Sequence, residues 1–466
     1  MIQTLEEHIT VKRPIADCFA YLRDFATIEQ WDPAVLRARK LSPGSAEIGS
    51  EYQLVLKLPS GQSTVMLYTQ IDIDEQRQLV LRGVGRNFSA LDTLNFKALD
   101  PYTTEIHYCA ELHLDWLPSP FAWFISPLLK RIGKNAICGL QNALEIPAAP
   151  AALGFKDAIA DRLILPAALN FGRRGYLTQA RKSHSTRADG KVIAITGPTA
   201  GLGLSAACEL ARLGASLILI GRDKARLDQA AKTIQDFSGC TSNALHIYNT
   251  DLSKLKNTAT TAKQISANYP RIDVLINNAG ALFAERQITE EGIERSLALN
   301  FLAPLLLTKA LSPSFTQHSR VVNVVSGGLY LQGLALDDLQ YCKPPFDGSK
   351  AYARAKRALL TMSQHSEGQL ANIHTMHPGW AATPGVAKSL PAFNKAMHRY
   401  LRDSRMGADT MVWLATAPEV EHAPSGQLWF DRRIHTDAVL PNTTSSAQDR
   451  QKLRDWSEQI LSKLMF

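Results

Sequence analysis

The rhythm of apolar residues changes once along this chain, at the proline/alanine stretch Ile146-Pro-Ala-Ala-Pro-Ala-Ala-Leu-Gly154. Such a stretch reads as a linker. Before it, apolar and polar residues alternate over Glu6–Val11, Glu51–Leu58, Ser63–Ile71, Leu79–Arg82 and Glu105–Leu114. Period-two alternation predicts half-buried antiparallel strands. Helices are predicted over Ile15–Leu22, opening after Pro14, and from about Pro120 to Leu144. After the linker, apolar runs at Val192–Thr196, Leu217–Ile220, Ala244–Tyr248, Val274–Ile276 and Val321–Val325 alternate with amphipathic helices. That order predicts a doubly wound parallel α/β sheet. Three parts follow: an α+β domain over 1–146 whose curved sheet wraps a closing helix, a linker and basic amphipathic extension over 147–187, and an α/β domain over 188–466.

Charge is uneven between these parts. Residues 1–150 hold 14 Lys+Arg against 17 Asp+Glu, and the remainder 37 against 26. Residues 156–191 carry eight basic and three acidic side chains, a surplus that attracts phosphates of a cofactor or an anionic membrane. No nucleic-acid motif accompanies it, so nucleic acid is not an expected partner. The six cysteines are scattered without metal-ligand spacing, so no metal is expected and the thiols read as reduced. With no leader and no apolar run of spanning length, a cytoplasmic protein is expected.

Thr196-Gly-Pro-Thr-Ala-Gly-Leu-Gly203 lies between a buried strand and a helix expected to begin near Leu204. Glycines at 197, 201 and 203 let the backbone turn sharply and approach a pyrophosphate, which the helix N-terminus then binds. The second strand ends in Gly221-Arg222, where an acid would bind a ribose 2′-hydroxyl and repel a 2′-phosphate. A guanidinium there suits that phosphate, which favours NADP(H) over NAD(H). The competing reading pairs Arg222 with Asp223 or a surface acid. Tyr352 and Lys356 stand four apart on a predicted helix, so both side chains share one face. A cation beside the phenol is expected to lower its pKa, fitting it for proton transfer to a substrate oxygen. Ser326, ending Arg320-Val-Val-Asn-Val-Val-Ser326, is placed to hydrogen-bond that oxygen.

The spacing Gly-x-x-x-Gly-x-Gly and the order of these elements resemble the short-chain dehydrogenase/reductase family, from about Leu163 onward. The resemblance implies a Rossmann fold and a catalytic set of Asn300, Ser326, Tyr352 and Lys356, with Asn300 holding a water that relays protons to Lys356. It also implies cofactor contacts from Thr196, Gly197, Thr199, Gly201, Leu202, Gly203, Arg222, Asp251, Leu252, Asn278, Ala279, Gly280, Tyr352, Lys356, Pro378, Gly379 and Thr383. Lys356 would hold the nicotinamide ribose. Ser326 and Tyr352 are 352 − 326 = 26 positions apart, about twice the separation in many members of the family. The added length, Leu329–Gly348, together with Pro344-Pro-Phe-Asp-Gly348, Met376-His-Pro-Gly-Trp380 and Phe171-Gly-Arg-Arg-Gly-Tyr176, resembles the retinol-dehydrogenase-like branch near dehydrogenase/reductase member twelve. That branch implies a lipophilic alcohol or carbonyl substrate, which the aromatic inserted loop is expected to cover. Family members are commonly homo-oligomers.

Val11-Lys-Arg-Pro-Ile-Ala-Asp-Cys-Phe19, Trp31-Asp-Pro33 and the strand series closed by a long helix resemble the START-like, or polyketide-cyclase (SRPBCC), superfamily. This implies a helix-grip fold that binds a hydrophobic ligand. His107 and His113 alternate with Cys109 and Glu111, read as inward or outward sets, and satisfied strand histidines are expected ahead of a cyclase base. Leu117–Leu129, followed by Lys130, Arg131 and Lys134, suits either the buried face of the closing helix or a peripheral membrane contact, with burial favoured. The leading expectation is a dehydrogenase joined to a lipid-binding domain. The alternatives are a bifunctional enzyme with an N-terminal cyclase or dehydratase, and a non-catalytic lipid-binding protein that senses nucleotide.

Overall fold

The computed structural model describes residues 2–42, 45–57, 63–86, 88–114, 122–144, 161, 169–178, 186–364, 371–389, 391–440 and 443–465. They fall into two compact units divided near residue 148. The Ile146–Gly154 linker, most of the basic stretch 156–191 and residues 117–121 of the proposed interfacial segment lie outside the described residues.

In the first unit, strands β1 (Ile2–Val11), β2 (Val35–Lys40), β3 (Glu51–Lys57), β4 (Ser63–Asp74), β5 (Gln78–Val84), β6 (Phe88–Asp100) and β7 (Thr103–Leu114) form one sheet. Its order is β1-β7-β6-β5-β4-β3-β2, antiparallel throughout. Register shifts at Val35/Arg37, Gln70/Asp72 and Ala98/Asp100 bend the strands and curl the sheet. Its inner face, with Leu54, Met66, Leu81 and Leu94, closes over the helices Ile15–Arg23 and Ala122–Leu144, which bury Phe19, Leu22, Ile137 and Leu140. This is the helix-grip arrangement.

The second unit begins its sheet with β8 (Val192–Thr196), β9 (Ser216–Gly221), β10 (Leu245–Asn249), β11 (Val274–Asn277) and β12 (Arg320–Val324). β13 (Asn372–Met376), β14 (Leu428–Phe430) and β15 (Arg433–His435) complete it. The order β10-β9-β8-β11-β12-β13-β14-β15 is parallel until the antiparallel final strand. Helices pack on both faces, so β11 and β12 are buried along their whole length. The chain reverses its direction of sheet growth between β8 and β11, and open α/β sheets bind ligands at the carboxyl ends of strands around such a point. The helical stretch Arg295–Ser314 is apolar enough to cross a membrane, with mean hydropathy 1.2, yet 67% of it is buried in this unit's core.

Candidate active site

The helix after β8 starts at Gly201, three residues earlier than expected, so the glycine loop is itself its first turn. Gly197 and Gly201 have φ of 68° and 55°. A Cβ on Gly203 would lie 2.2 Å from the Gly197 carbonyl oxygen and 2.4 Å from the Asn278 amide nitrogen, so only glycine closes this cradle. Asn278 Nδ2 donates to the Thr196 and Gly197 carbonyls at 2.9 and 3.2 Å, and the Ala279 N–H donates to Thr196 Oγ1 at 2.9 Å. Thr199 is half-buried in the turn between these glycines. Gly201 faces Thr383, and Leu202 meets Pro378 across Gly407. The residues expected around a dinucleotide therefore converge from the carboxyl ends of β8, β11 and β13.

The adenosine side follows along the same edge. The Thr250 N–H donates to the Gly221 carbonyl at 2.7 Å, tying the ends of β9 and β10 together. Asp251 accepts from the Ser253 N–H and hydroxyl at 2.9 and 2.7 Å, and Leu252 points into the core. Arg222 is exposed. Asp223 caps the next helix by accepting from the Arg226 N–H at 3.1 Å, and among the described residues Arg222 has no ion-pair partner. Its guanidinium is thus available to a phosphate at the strand end.

The four expected catalytic residues come together. Asp347 accepts from the Ser349 and Lys350 N–H groups and starts the helix Gly348–Ser363, which carries Tyr352 and Lys356 inward. Ser326 ends the segment after β12, accepts from the Gly328 N–H at 3.4 Å and lies close enough to the Tyr352 phenol to lower its pKa. Lys356 Nζ donates to the Val324 carbonyl at 2.8 Å and lies 5.8 Å from the centre of the Tyr352 ring. Asn300 sits in a π-helical turn, Ala298–Leu302, a distortion frequent at functional sites. Its Nδ2 donates to the Ala281 and Ser296 carbonyls at 3.0 and 2.9 Å, and its Oδ1 accepts from the Ala281 N–H. A Cβ on Gly280 would stand 2.9 Å from Asn300 Oδ1 and 3.3 Å from Lys356 Nζ, so this glycine leaves the gap between them open.

The electrostatics reverse one expectation. Burial pushes the Tyr352 phenol up to about 12, with the nearby Ser326 hydroxyl only partly opposing it. Burial also brings Lys356 down to about 7, so near neutrality its charge is too incomplete to offset desolvation of the phenolate. The loop after Ser326 carries the inserted aromatics. Tyr330 and Tyr341 are buried, and Arg354 lies over the Tyr341 ring at 4.5 Å. The open cavity between this loop and the catalytic helix, about 460 Å³, is lined largely by charged residues including Asp337, Lys343, Asp347 and Lys350. Of the inserted aromatics, Tyr330 packs into the core, while Tyr341 lines one wall of that cavity beneath Arg354.

In the first unit, His107, Cys109, Glu111 and His113 all lie on the outer face of β7, not in two sets, because Ile106, Tyr108 and Ala110 take the inward positions. His107 pairs with Glu6 at 2.8 Å and stacks on His8 at 4.2 Å. Asp92 is a buried acid of this unit; it accepts from the Tyr108 hydroxyl and lies near that of Tyr68. Burial raises its pKa to about 6, and that of Asp32 likewise to about 6.

Such a fold, glycine cradle and Ser–Tyr–Lys cluster define a dinucleotide-dependent oxidoreductase. The family model for short chain dehydrogenase matches residues 191–392, and that for polyketide cyclase/dehydrase and lipid transport matches residues 3–145. Dehydrogenase/reductase SDR family member 12 of Homo sapiens is 36% identical over 276 residues, spanning 58% of this chain and 86% of that protein. Retinol dehydrogenase 14 of Mus musculus is 33% identical over 298 residues, spanning 59% of this chain and 87% of that protein. The chain belongs to the short-chain dehydrogenase/reductase family, which uses NAD(H) or NADP(H), and carries an N-terminal polyketide-cyclase-type domain.

Proposed function

We propose that the protein is an NADP(H)-dependent oxidoreductase interconverting a lipophilic alcohol and its carbonyl. The observation that carries this reading is the gathering of the Ser326 hydroxyl, the Tyr352 phenol and the buried Lys356 amine, which lies 5.8 Å from the centre of the Tyr352 ring. Ser326 and Tyr352 would both donate to the substrate oxygen, holding the carbonyl as negative charge develops on it. Tyr352 would deliver its proton to that oxygen in reduction and take it back in oxidation. The nicotinamide, when bound, supplies or accepts the hydride. Lys356, anchored on the Val324 carbonyl, would contact the ribose, and Asn300 would fix the Ala281 loop beside it. Burial favours the neutral phenol, so the unliganded site is set to donate. The positive charge of an oxidised nicotinamide would favour the phenolate needed in the other direction. Arg222, exposed and without an ion-pair partner among the described residues, supports NADP(H). Retinol dehydrogenase 14 among the relatives supports a lipophilic substrate. The cyclase-type domain supports hydrophobic-ligand binding in the first unit.

Tyr352→Phe tests this reading: turnover of long-chain and aromatic carbonyls should fall at least about 100-fold. Unchanged turnover refutes it. A second reading adds acid–base chemistry in the first unit, and the observation favouring it is Asp92, enclosed with Tyr68 and Tyr108 and raised by burial to about 6.

A further inference from the structure

The region matched to the dehydrogenase family begins at residue 191, yet a segment upstream of it is built into the site. Asn170-Phe171-Gly172 lies against the carboxyl ends of β12, β13 and β14. The Phe171 ring is 3.4 Å from where a Cβ on Gly327 would stand, and Gly327 directly follows Ser326. The ring is buried. It meets Trp380 edge-on at 5.9 Å, Phe430 at 5.3 Å and His377 at 4.9 Å. Tyr330, from the inserted loop, stacks beside it at 6.3 Å.

The backbone of this segment is held as firmly as the ring. The Phe171 carbonyl accepts from the Trp380 N–H at 2.8 Å and from Arg402 Nε at 2.8 Å. Arg402 also donates to the Asn170 carbonyl at 2.7 Å and makes a two-point pair with Asp431 at 2.6 and 2.9 Å. The Arg402 and Asp431 side chains are 1% and 2% exposed. Burying such a pair is costly unless its remaining donors are satisfied, and here they are spent on the Asn170–Gly172 backbone. Gly379 has φ 71°, and a Cβ there would fall 2.6 Å from the Phe171 oxygen and 2.7 Å from Arg402 Nε. The loop expected to flank the nicotinamide is therefore shaped around Phe171.

We propose that Phe171 is a substrate-specificity residue of the dehydrogenase site, forming the closed apolar end of its substrate pocket, with Arg402 as its positioning residue. The proposal rests on the dehydrogenase reading above and narrows it. The apolar group next to the reacting carbon meets a fixed aromatic wall behind Ser326, so bulky substituents at that end are rejected while flat or slender ones are accepted. A pocket wall of this kind discriminates by about 10- to 200-fold per small apolar group.

The test compares kcat/KM of wild type, Phe171→Leu and Phe171→Ala with NADPH on carbonyls whose substituent grows from methyl to branched alkyl to naphthyl. In Phe171→Ala the ratio of kcat/KM for the bulkiest to the smallest substrate should rise at least tenfold, in Phe171→Leu by less, with NADPH affinity unchanged in both. A ratio within twofold of wild type in both variants overturns the proposal, even if all rates fall together as a merely structural role would require. Should Phe171→Ala fail to fold, Phe171→Leu decides alone by the same twofold limit. Wild type inert towards every carbonyl would overturn the parent reading as well, which separates the two failures.

Discussion

Replacing Lys356 by methionine should make the dehydrogenase unit more stable while removing its activity. The Lys356 amine is fully buried, and burial brings its pKa from 10.5 to about 7. The folded state therefore binds this proton less tightly than the unfolded chain does. Below pH 7 the penalty is at full size, and it declines as pH rises through the window from about 7 to 10.5, so stability contributed at this site rises with pH. At pH 7 the shift corresponds to about 4 kcal/mol of destabilisation. Methionine removes that penalty and loses the Nζ hydrogen bond to the Val324 carbonyl, worth about 1–3 kcal/mol. The net gain is about 1–3 kcal/mol, or roughly 2–10 °C in melting temperature. By pH 9 the penalty has fallen by about 2 kcal/mol and the two proteins should melt nearly together. Differential scanning calorimetry of the cofactor-free full-length proteins at pH 7 and pH 9 reads both effects. A variant less stable than wild type at pH 7, or a gap that does not shrink by pH 9, would refute the reasoning. The expected outcome is a site that trades stability for function.

Two further predictions concern other groups. Arg222→Ala should raise KM for NADPH about tenfold or more while leaving that for NADH within twofold, since a charge-assisted phosphate contact is worth about 1.5–3 kcal/mol; equal effects on both cofactors would contradict it. Asp92 has its pKa raised from 3.8 to about 6, so the folded state holds its proton more tightly and the first unit should lose stability as pH rises through that interval. In Asp92→Asn that loss should shrink by up to about 3 kcal/mol, read from thermal melts at pH 4 and pH 7, and identical pH dependence in both proteins would contradict it.

The second unit was legible where its chemistry is local. Val192–Thr196 is a strand at its expected limits, the glycine loop opens the helix that follows it, and Tyr352 and Lys356 lie together on one helix. In the first unit, period-two reading finds β1, β3, β4, β5 and β7 and misses the two strands whose alternation is interrupted. β6 was not foreseen because one of its inward positions, between Ala90 and Leu94, holds Asp92, which breaks the apolar alternation. β2 was missed because its bulge at Val35/Arg37 puts the inward residues Val35 and Ala38 three apart. Burial also inverted the expected direction of the Tyr352 shift, since spacing along a helix carries no information about desolvation. The Arg402 contact to Phe171 joins residues 231 apart, and no local pattern announces it. The motif Phe171–Tyr176 drew notice by resemblance alone, and its physical reason appears only with Gly379 and Asp431 in place.

The central claim is that Ser326, Tyr352 and Lys356 conduct hydride transfer between a nicotinamide cofactor and a carbonyl carbon. It is tested most directly by incubating the protein with lipophilic aldehydes and ketones and NADPH carrying deuterium at the transferable nicotinamide position, then analysing the alcohols by mass spectrometry. The account predicts alcohol one mass unit heavier from wild type, formed at least about 100-fold more slowly by Tyr352→Phe at saturating NADPH. Alcohol without the label, or label transferred equally fast by Tyr352→Phe, would contradict it.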